Sequence, residues 1–182
     1  SKGRTVFLGD TSIYERPTAD QLAQIAISVS KQAKLMGHTP RVALLSFSNF
    51  GNPSGPSTDH IVQAIKKLDS MDVDFEYDGE MSAEVALNYD LQKQRYPFCR
   101  LTGPANILIM PGLHAANIAS RLVGEVGAGK TIGPLLTGLN HSAQIVRVGA
   151  NVSEIVTMAL FAAYNDSKPK SISTGAKTSK AT

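Results

Sequence analysis

The segment that most constrains this chain runs from Ala105 to Glu154. It opens with an apolar run, Asn106-Ile-Leu-Ile-Met110, halted by Pro111-Gly112. A helix-forming stretch starts near Leu113, and a Gly/Pro-punctuated segment, Ile132-Gly133-Pro134-Leu-Leu-Thr-Gly138, follows it. A second apolar run, Gln144-Ile-Val-Arg147-Val148, closes on Gly149-Ala150 and leads into a last helical stretch from Asn151 to Tyr164. Short apolar runs bounded by turn residues read as buried strands. Two strand-to-helix turns in succession predict an open α/β sheet, in which ligands bind outside the carboxyl ends of the strands.

The preceding part of the chain repeats the alternation. Arg4–Leu8 reads as a short buried strand and Gly9–Pro17 as a loop. Thr18 with Gln21 three residues on forms a capping box. Leu22, Ile25, Ala26, Val29, Ala33 and Met36 then recur at helical spacing, so a long amphipathic helix is predicted over 18–36, stopped by Gly37. Arg41–Leu45 has the continuous apolar character of a parallel strand covered on both faces. It runs into a loop rich in small and hydroxyl residues, Ser46 to Ser57. Helices are predicted over 57–68 and 82–95, the second with a break near Asn88. Asp72–Tyr77 alternates like a strand near a sheet edge, and Asp78-Gly79-Glu80-Met81 reads as a solvated polar turn. The expected fold class is α/β, a mostly parallel sheet with helices on both faces.

Bulk properties exclude several function classes. The chain has 182 residues, 42% hydrophobic and 18% charged, enough to bury a core as one domain. No apolar stretch is long enough to span a membrane, and the amino terminus lacks a signal-peptide layout. Cys99 is the only cysteine, which precludes an intrachain disulfide and fits a reducing cytoplasm; its apolar neighbours assign it to packing. The net charge is +3, but Ser167–Thr182 holds four lysines and no acid, so the remaining body carries −1. A near-neutral body has no electrostatic footprint for nucleic acid. The tail 167–182 is expected to be flexible.

Each candidate motif has a plain alternative. The Ser46–Ser57 loop can present backbone N–H and hydroxyl donors to a phosphate or carboxylate, and is equally an ordinary loop. Gly124-Glu-Val-Gly-Ala-Gly129-Lys130-Thr131 matches the letters of a phosphate-binding P-loop, but a helix precedes it and Gly133-Pro134 prevents one from following. That order is the inverse of what a P-loop needs. The histidines 38, 60, 114 and 141 are too scattered for a zinc site. Asp78 and Glu80 could do acid–base work, with a solvated turn as the default. Arg147 lies inside an apolar strand, where a charge must be paired or face a ligand. With Arg121 it would suit an anionic ligand near the strand ends.

Taken together, Ala43-Leu-Leu-Ser-Phe-Ser48, Asp78-Gly-Glu80, Ala105-Asn-Ile-Leu-Ile-Met-Pro111, Ala116-Asn117-Ile118, Gly133-Pro-Leu-Leu-Thr-Gly138, and Val148-Gly-Ala150 through Glu154-Ile-Val156 resemble the phosphate acetyl/butyryltransferase family. The likeness spans about residues 4–165. It implies the phosphate acetyltransferase-like fold, related to isocitrate and isopropylmalate dehydrogenases. Only the C-terminal half of that two-lobed domain is matched. Residues 1–130 would form an α/β lobe, and 131–166 the strand and helix of the second lobe, with an exposed apolar face at Ile155, Met158, Ala159 and Phe161.

The nearer likeness is to the C-terminal transferase-like regulatory domain of bacterial multidomain NADP-dependent malic enzymes. Active transferases of the family carry Ser-Arg immediately before the Gly-Ala turn and an acid in the following helix. Here the aligned pair is Arg147-Val148, and only the acid is matched, by Glu154. A one-residue shift in a strand would point Arg147 to the opposite face. The resemblance therefore implies a catalytically inactive domain that binds acetyl-CoA or CoA as an effector, with no cofactor or metal of its own. The partners it implies are a second copy of the chain, a higher oligomer in the parent protein, and the malic-enzyme catalytic domain. The residues implied at the ligand are Ser46, Ser48, Asn49, Gly51, Asn106, Pro111, Asn117, Arg121, Gly133, Pro134, Arg147, Gly149 and Glu154. The rivals are an active phosphate acetyltransferase and a purely structural dimerisation domain.

Overall fold

The computed structural model describes residues 3–10, 12–127, 129–139 and 141–166; the predicted tail lies outside these. Two compact units are present, Ser1–Thr137 and Gly138–Thr182.

In the first unit, the apolar runs at Phe7–Gly9 (β1), Arg41–Leu45 (β2) and Ile107–Ile109 (β4) and the more polar segment Glu76–Met81 (β3) form a four-stranded sheet. The order is β1-β4-β2-β3 and every pair is parallel. β2 and β4 have ladder partners on both sides, which satisfies their backbone groups in a dry interior. Their side chains alternate between two cores. Val42, Leu44, Ile107 and Ile109 face the helices Ala19–Leu35 (α1) and Pro56–Asp69 (α2). Ala43, Leu45 and Leu108 face the opposite side, against Val85 and Ala86 of Ala83–Leu87 (α3) and beside Tyr89–Arg95 (α4). Each fully buried Ile or Leu contributes about 1.5–3 kcal/mol. The expected doubly covered parallel sheet is therefore present.

Local signals explain most boundaries. The predicted Thr18–Gln21 capping box is formed, Thr18 Oγ1 accepting from Gln21 N and Gln21 Oε1 from Thr18 N. The break at Asn88 is also formed: its side chain accepts from Leu91 N and starts α4. Leu113–Val126 (α5) begins directly after the Pro111-Gly112 turn. It ends at Gly127, where a Cβ would lie 2.4 Å from Val123 O. A helix thus precedes the P-loop-like letters, as the sequence order requires.

Two expectations are corrected. The edge strand is β3, Glu76–Met81, not Asp72–Tyr77, and Asp78-Gly79-Glu80 is no solvated turn. Pairing with Ala43–Leu45 draws this polar stretch inside, where internal donors satisfy both carboxylates. Gly79 makes the close approach possible. Its φ is 153°, and a Cβ there would meet Leu44 O at 2.6 Å.

In the second unit, Gln144–Val148 forms no strand. A strand needs a ladder partner, and none is present among the described residues of this unit. Ile145 and Val148 are consequently exposed. The last helix is Val152–Asp166 (α6). Ile155 and Ala159 are exposed as expected, alongside Val152, Val156 and Leu160, while Met158 is buried and Phe161 half-buried, which corrects two of the four residues expected on its open face.

Candidate functional site

Parallel strands gather their following loops at one edge of the sheet. In the first unit these are residues 10–17 after β1, Ser46–Gly55 after β2, Ser82 after β3, and Met110–Gly112 after β4. β2 leads to α2 on one face and the neighbouring β3 leads to α3 on the other. Adjacent strands whose connections diverge in this way open a crevice at their carboxyl ends.

That crevice is filled by the protein's own polar groups. Glu80, 1% exposed, accepts at Oε1 from Ser48 Oγ at 3.0 Å and Gly51 N at 2.6 Å. Its carbonyl accepts from Phe50 N at 2.8 Å. Asn49 Oδ1 accepts from Ser82 N at 2.8 Å, and Ser46 Oγ from Ser48 N at 3.2 Å. The hydroxyl-rich loop therefore exists with its Ser48 and Gly51 donors turned inward. Ser48 is fully buried, so it and the Gly51 amide do not present themselves to a ligand as the sequence suggested. What the loop shows outward is Phe47 together with Gly51, Asn52, Pro53 and Ser54.

The β4 turn is held from α2. His60 Nε2 lies 3.2 Å from Pro111 O, and Leu113 N donates to Glu15 O, tying the turn to the loop after β1. Gly112 approaches Glu15 O so closely that a Cβ would sit 3.0 Å away. On α5, Arg121 Nε donates to Asn117 Oδ1 at 3.0 Å, and Arg121 is exposed beside a half-buried Asn117. Farther along the first unit, Gly133 has φ 122°, a conformation that favours glycine, and Pro134 is exposed.

Asn106 belongs elsewhere. Its Oδ1 accepts from Arg41 N and its Nδ2 donates to Thr39 O, which places it at the amino ends of β2 and β4. It joins two strand starts, and the sheet lies between it and the loops named above.

In the second unit, Arg147 Nη2 and Glu154 Oε1 form an ion pair at 2.9 Å. Asn151 and Glu154 exchange side-chain and backbone hydrogen bonds, Asn151 N donating to Glu154 Oε2 and Glu154 N to Asn151 Oδ1. This is a capping box for α6. Gly149, φ 85°, completes the turn in which Ala150 N donates to Arg147 O. Arg147 is paired although its side chain is 74% exposed and its segment is no strand, so the premise that it needs a partner inside a buried strand does not hold; Val148 stands fully exposed beside it.

Glu80 and His60 are the two positions whose importance the sequence reading missed. The signal for Glu80 was the period-2 alternation of 72–77, which continues through Asp78 and Glu80. Nothing local marks His60, because its partner is 51 residues away. Cys99 keeps the packing role assigned to it: burial pushes its thiol up to about 12, so no thiolate forms near neutrality. The described residues contain no cluster of metal-ligating side chains and no helix long and apolar enough to cross a membrane.

Comparison with known proteins places these features. The chain is 49% identical over 164 residues to an NADP-dependent malic enzyme of Rhizobium meliloti, covering 90% of this chain and 21% of that enzyme. It is 32% identical over 162 residues to a phosphate acetyltransferase of Corynebacterium glutamicum, covering 88% of this chain and 49% of the relative. Among solved structures, the EutD phosphotransacetylase from Staphylococcus aureus superposes with TM-score 0.82 at 26% identity, covering 91% of this chain and 52% of that one. A phosphotransacetylase from Streptococcus pyogenes gives 0.83 at 29% identity, covering 87% and 48%. The chain therefore spans about a fifth of the malic enzyme and about half of the transferases. The family model for phosphate acetyl/butaryl transferase matches residues 1–163, and with the parallel α/β sheet shared with the solved phosphotransacetylases, this chain belongs to that family.

Proposed function

We propose that this chain is the transferase-type regulatory domain of a cytoplasmic NADP-dependent malic enzyme, and that it binds acetyl-CoA or CoA as an effector without turning it over. The observation that carries the reading is the Arg147–Glu154 pair next to Val148. Family resemblance expects a serine and an arginine here to hold a thioester, with the following acid acting toward the CoA thiol. In this chain the acid is engaged by Arg147 and by the α6 cap, Arg147 stands where the resemblance expects the serine hydroxyl, and Val148 where it expects the arginine. Removing a donor to a developing oxyanion costs on the order of a hundredfold to a thousandfold in rate. The higher identity to a malic enzyme than to a transferase supports the same parentage. In this reading the parent protein supplies the malate-decarboxylating domain, and self-association runs through this domain.

Two measurements test it. Calorimetric titration of the parent protein with acetyl-CoA and CoA is expected to show saturable binding that prefers the acetylated form, weakened by Asn117→Ala and Arg147→Ala. Thiol release from acetyl-CoA in the presence of phosphate is expected to stay at the blank rate. Turnover in the thiol assay would establish an active transferase instead. No binding in the intact protein would leave an assembly role.

A further inference from the structure

Glu80 carries a carboxylate that is 1% exposed next to the carboxyl end of β3. Such a charge is costly unless its partners are excellent. Its partners all come from one place, the loop after β2. Ser48 Oγ and Gly51 N converge on Oε1, and Phe50 N binds the carbonyl of the same residue. The loop in turn needs such support. Phe50 and Gly51 adopt successive left-handed conformations, φ 49° and 86°, and for a phenylalanine this costs about 1–2 kcal/mol. Strain of this kind persists only where surrounding contacts over-determine it.

The geometry points to Glu80 as a positioning residue: its buried carboxylate fixes the Ser46–Gly51 loop at the carboxyl edge of the sheet and acts on a CoA-type ligand only through that loop. The inference rests on the effector reading above and deepens it. With Glu80 in place, the loop's strongest donors face inward, and the ligand meets the loop's shape and its outward residues, Phe47 among them. Without the acceptor, Ser48 and Gly51 lose their partners and the left-handed turn loses its side-chain support. The backbone bonds from Phe50 N to the Glu80 carbonyl and from Ser46 N to Met81 O, and the Ser82 N bond to Asn49, would remain.

The test uses the parent protein and three variants. Glu80→Met fills the space without an acceptor, Glu80→Gln keeps an acceptor at the same reach, and Ser48→Ala removes one donor while hardly changing volume. Amide hydrogen exchange at Phe50 and Gly51 reports the loop, and titration with acetyl-CoA reports the ligand. Glu80→Met is expected to speed exchange and weaken acetyl-CoA binding by about tenfold or more. Glu80→Gln should stay within about threefold of the parent, since its amide oxygen can still accept. Ser48→Ala should fall between, and it carries the test if Glu80→Met does not fold. A purely structural role predicts that Gln and Met lower the unfolding midpoint without separating in affinity. Unchanged exchange in Glu80→Met and Ser48→Ala, or a loosened loop with unchanged affinity, would overturn the proposal. If the parent protein binds no acetyl-CoA while Glu80→Met still loosens the loop, the effector reading falls and the clamp on the loop stands.

Discussion

Ile107–Ile109 and Gln144–Val148 are short apolar runs of similar letters, each followed by a turn and a helix, yet only the first is a strand. Ile107 lies opposite Phe7 on one side and Val42 on the other, and all three β4 residues are buried. Ile145 and Val148 belong to a different unit, in which no described residue provides a ladder partner. Apolar composition specifies what a segment can bury. Whether it becomes a strand depends on backbone donors and acceptors beside it, and those come from distant chain.

The comparison can be broken by substitution, starting with the largest effect. Ile107→Ala should cost about 2–5 kcal/mol in urea unfolding, because it leaves a cavity among β1, β2 and α1. Ile145→Ala should change stability by less than about 0.5 kcal/mol in this chain. Comparable losses would mean that residues 144–148 acquire a buried partner in solution. A cost at Ile145 that emerges only in the full-length parent would assign that partner to the remaining protein. Next in size is Gly79→Ala, expected to destabilise by about 1–3 kcal/mol, since its φ of 153° and the nearby Leu44 carbonyl leave no room for a Cβ. In the second unit the corresponding sensitive position is the α6 cap. Asn151→Ala should cost about 1 kcal/mol, readable as lost helicity by circular dichroism.

These positions also show which parts of the molecule were legible in sequence. The α1 capping box, the Asn88 break, the doubly covered β2 and the helix after Pro111 all follow from signals within a few residues. So does the rejection of the P-loop letters, since it rests only on element order. β3 was misplaced because Asp78 and Glu80 read as solvated charges. Their donors include Ser48, Gly51 and Arg100, contributed by loops 22 to 32 residues away. Asn106 was read as opening its strand, as it does, but was named among the ligand residues because the reach of its amide to Thr39 and Arg41 was not visible. At the site, the need of Arg147 for a partner was argued from a buried strand that does not form; its exposed pairing with Glu154 follows from the turn at Gly149 instead. Local chemistry was readable, and long-range satisfaction of polar groups was not.

The smallest expected effects distinguish the two arginine pairs. Arg100 sits 4.6 Å over the Tyr77 ring and binds Asp69 at 2.6 Å, with Asp78 3.4 Å away, whereas Arg147 has Glu154 alone and is mostly exposed. The Arg100 hydrogen bond, assisted by one from Tyr77 and opposed by partial burial, holds the Asp69 carboxyl below its ordinary value of 3.8. A carboxylate lowered on folding stabilises the native state above its unfolded value, and the contribution disappears as pH falls through the lowered folded value. Asp69 is nearly half exposed, so solvent screening keeps the whole effect below about 1 kcal/mol. Asp69→Asn should therefore lower the unfolding midpoint slightly at neutral pH, and the difference from the parent chain should vanish in acid below 3.8. Arg147→Ala should change neutral-pH stability by no more than about 0.5 kcal/mol. A larger loss at Arg147 than at Asp69 would reverse the ranking and show that the second unit's ion pair is shielded from water by chain beyond its own helix.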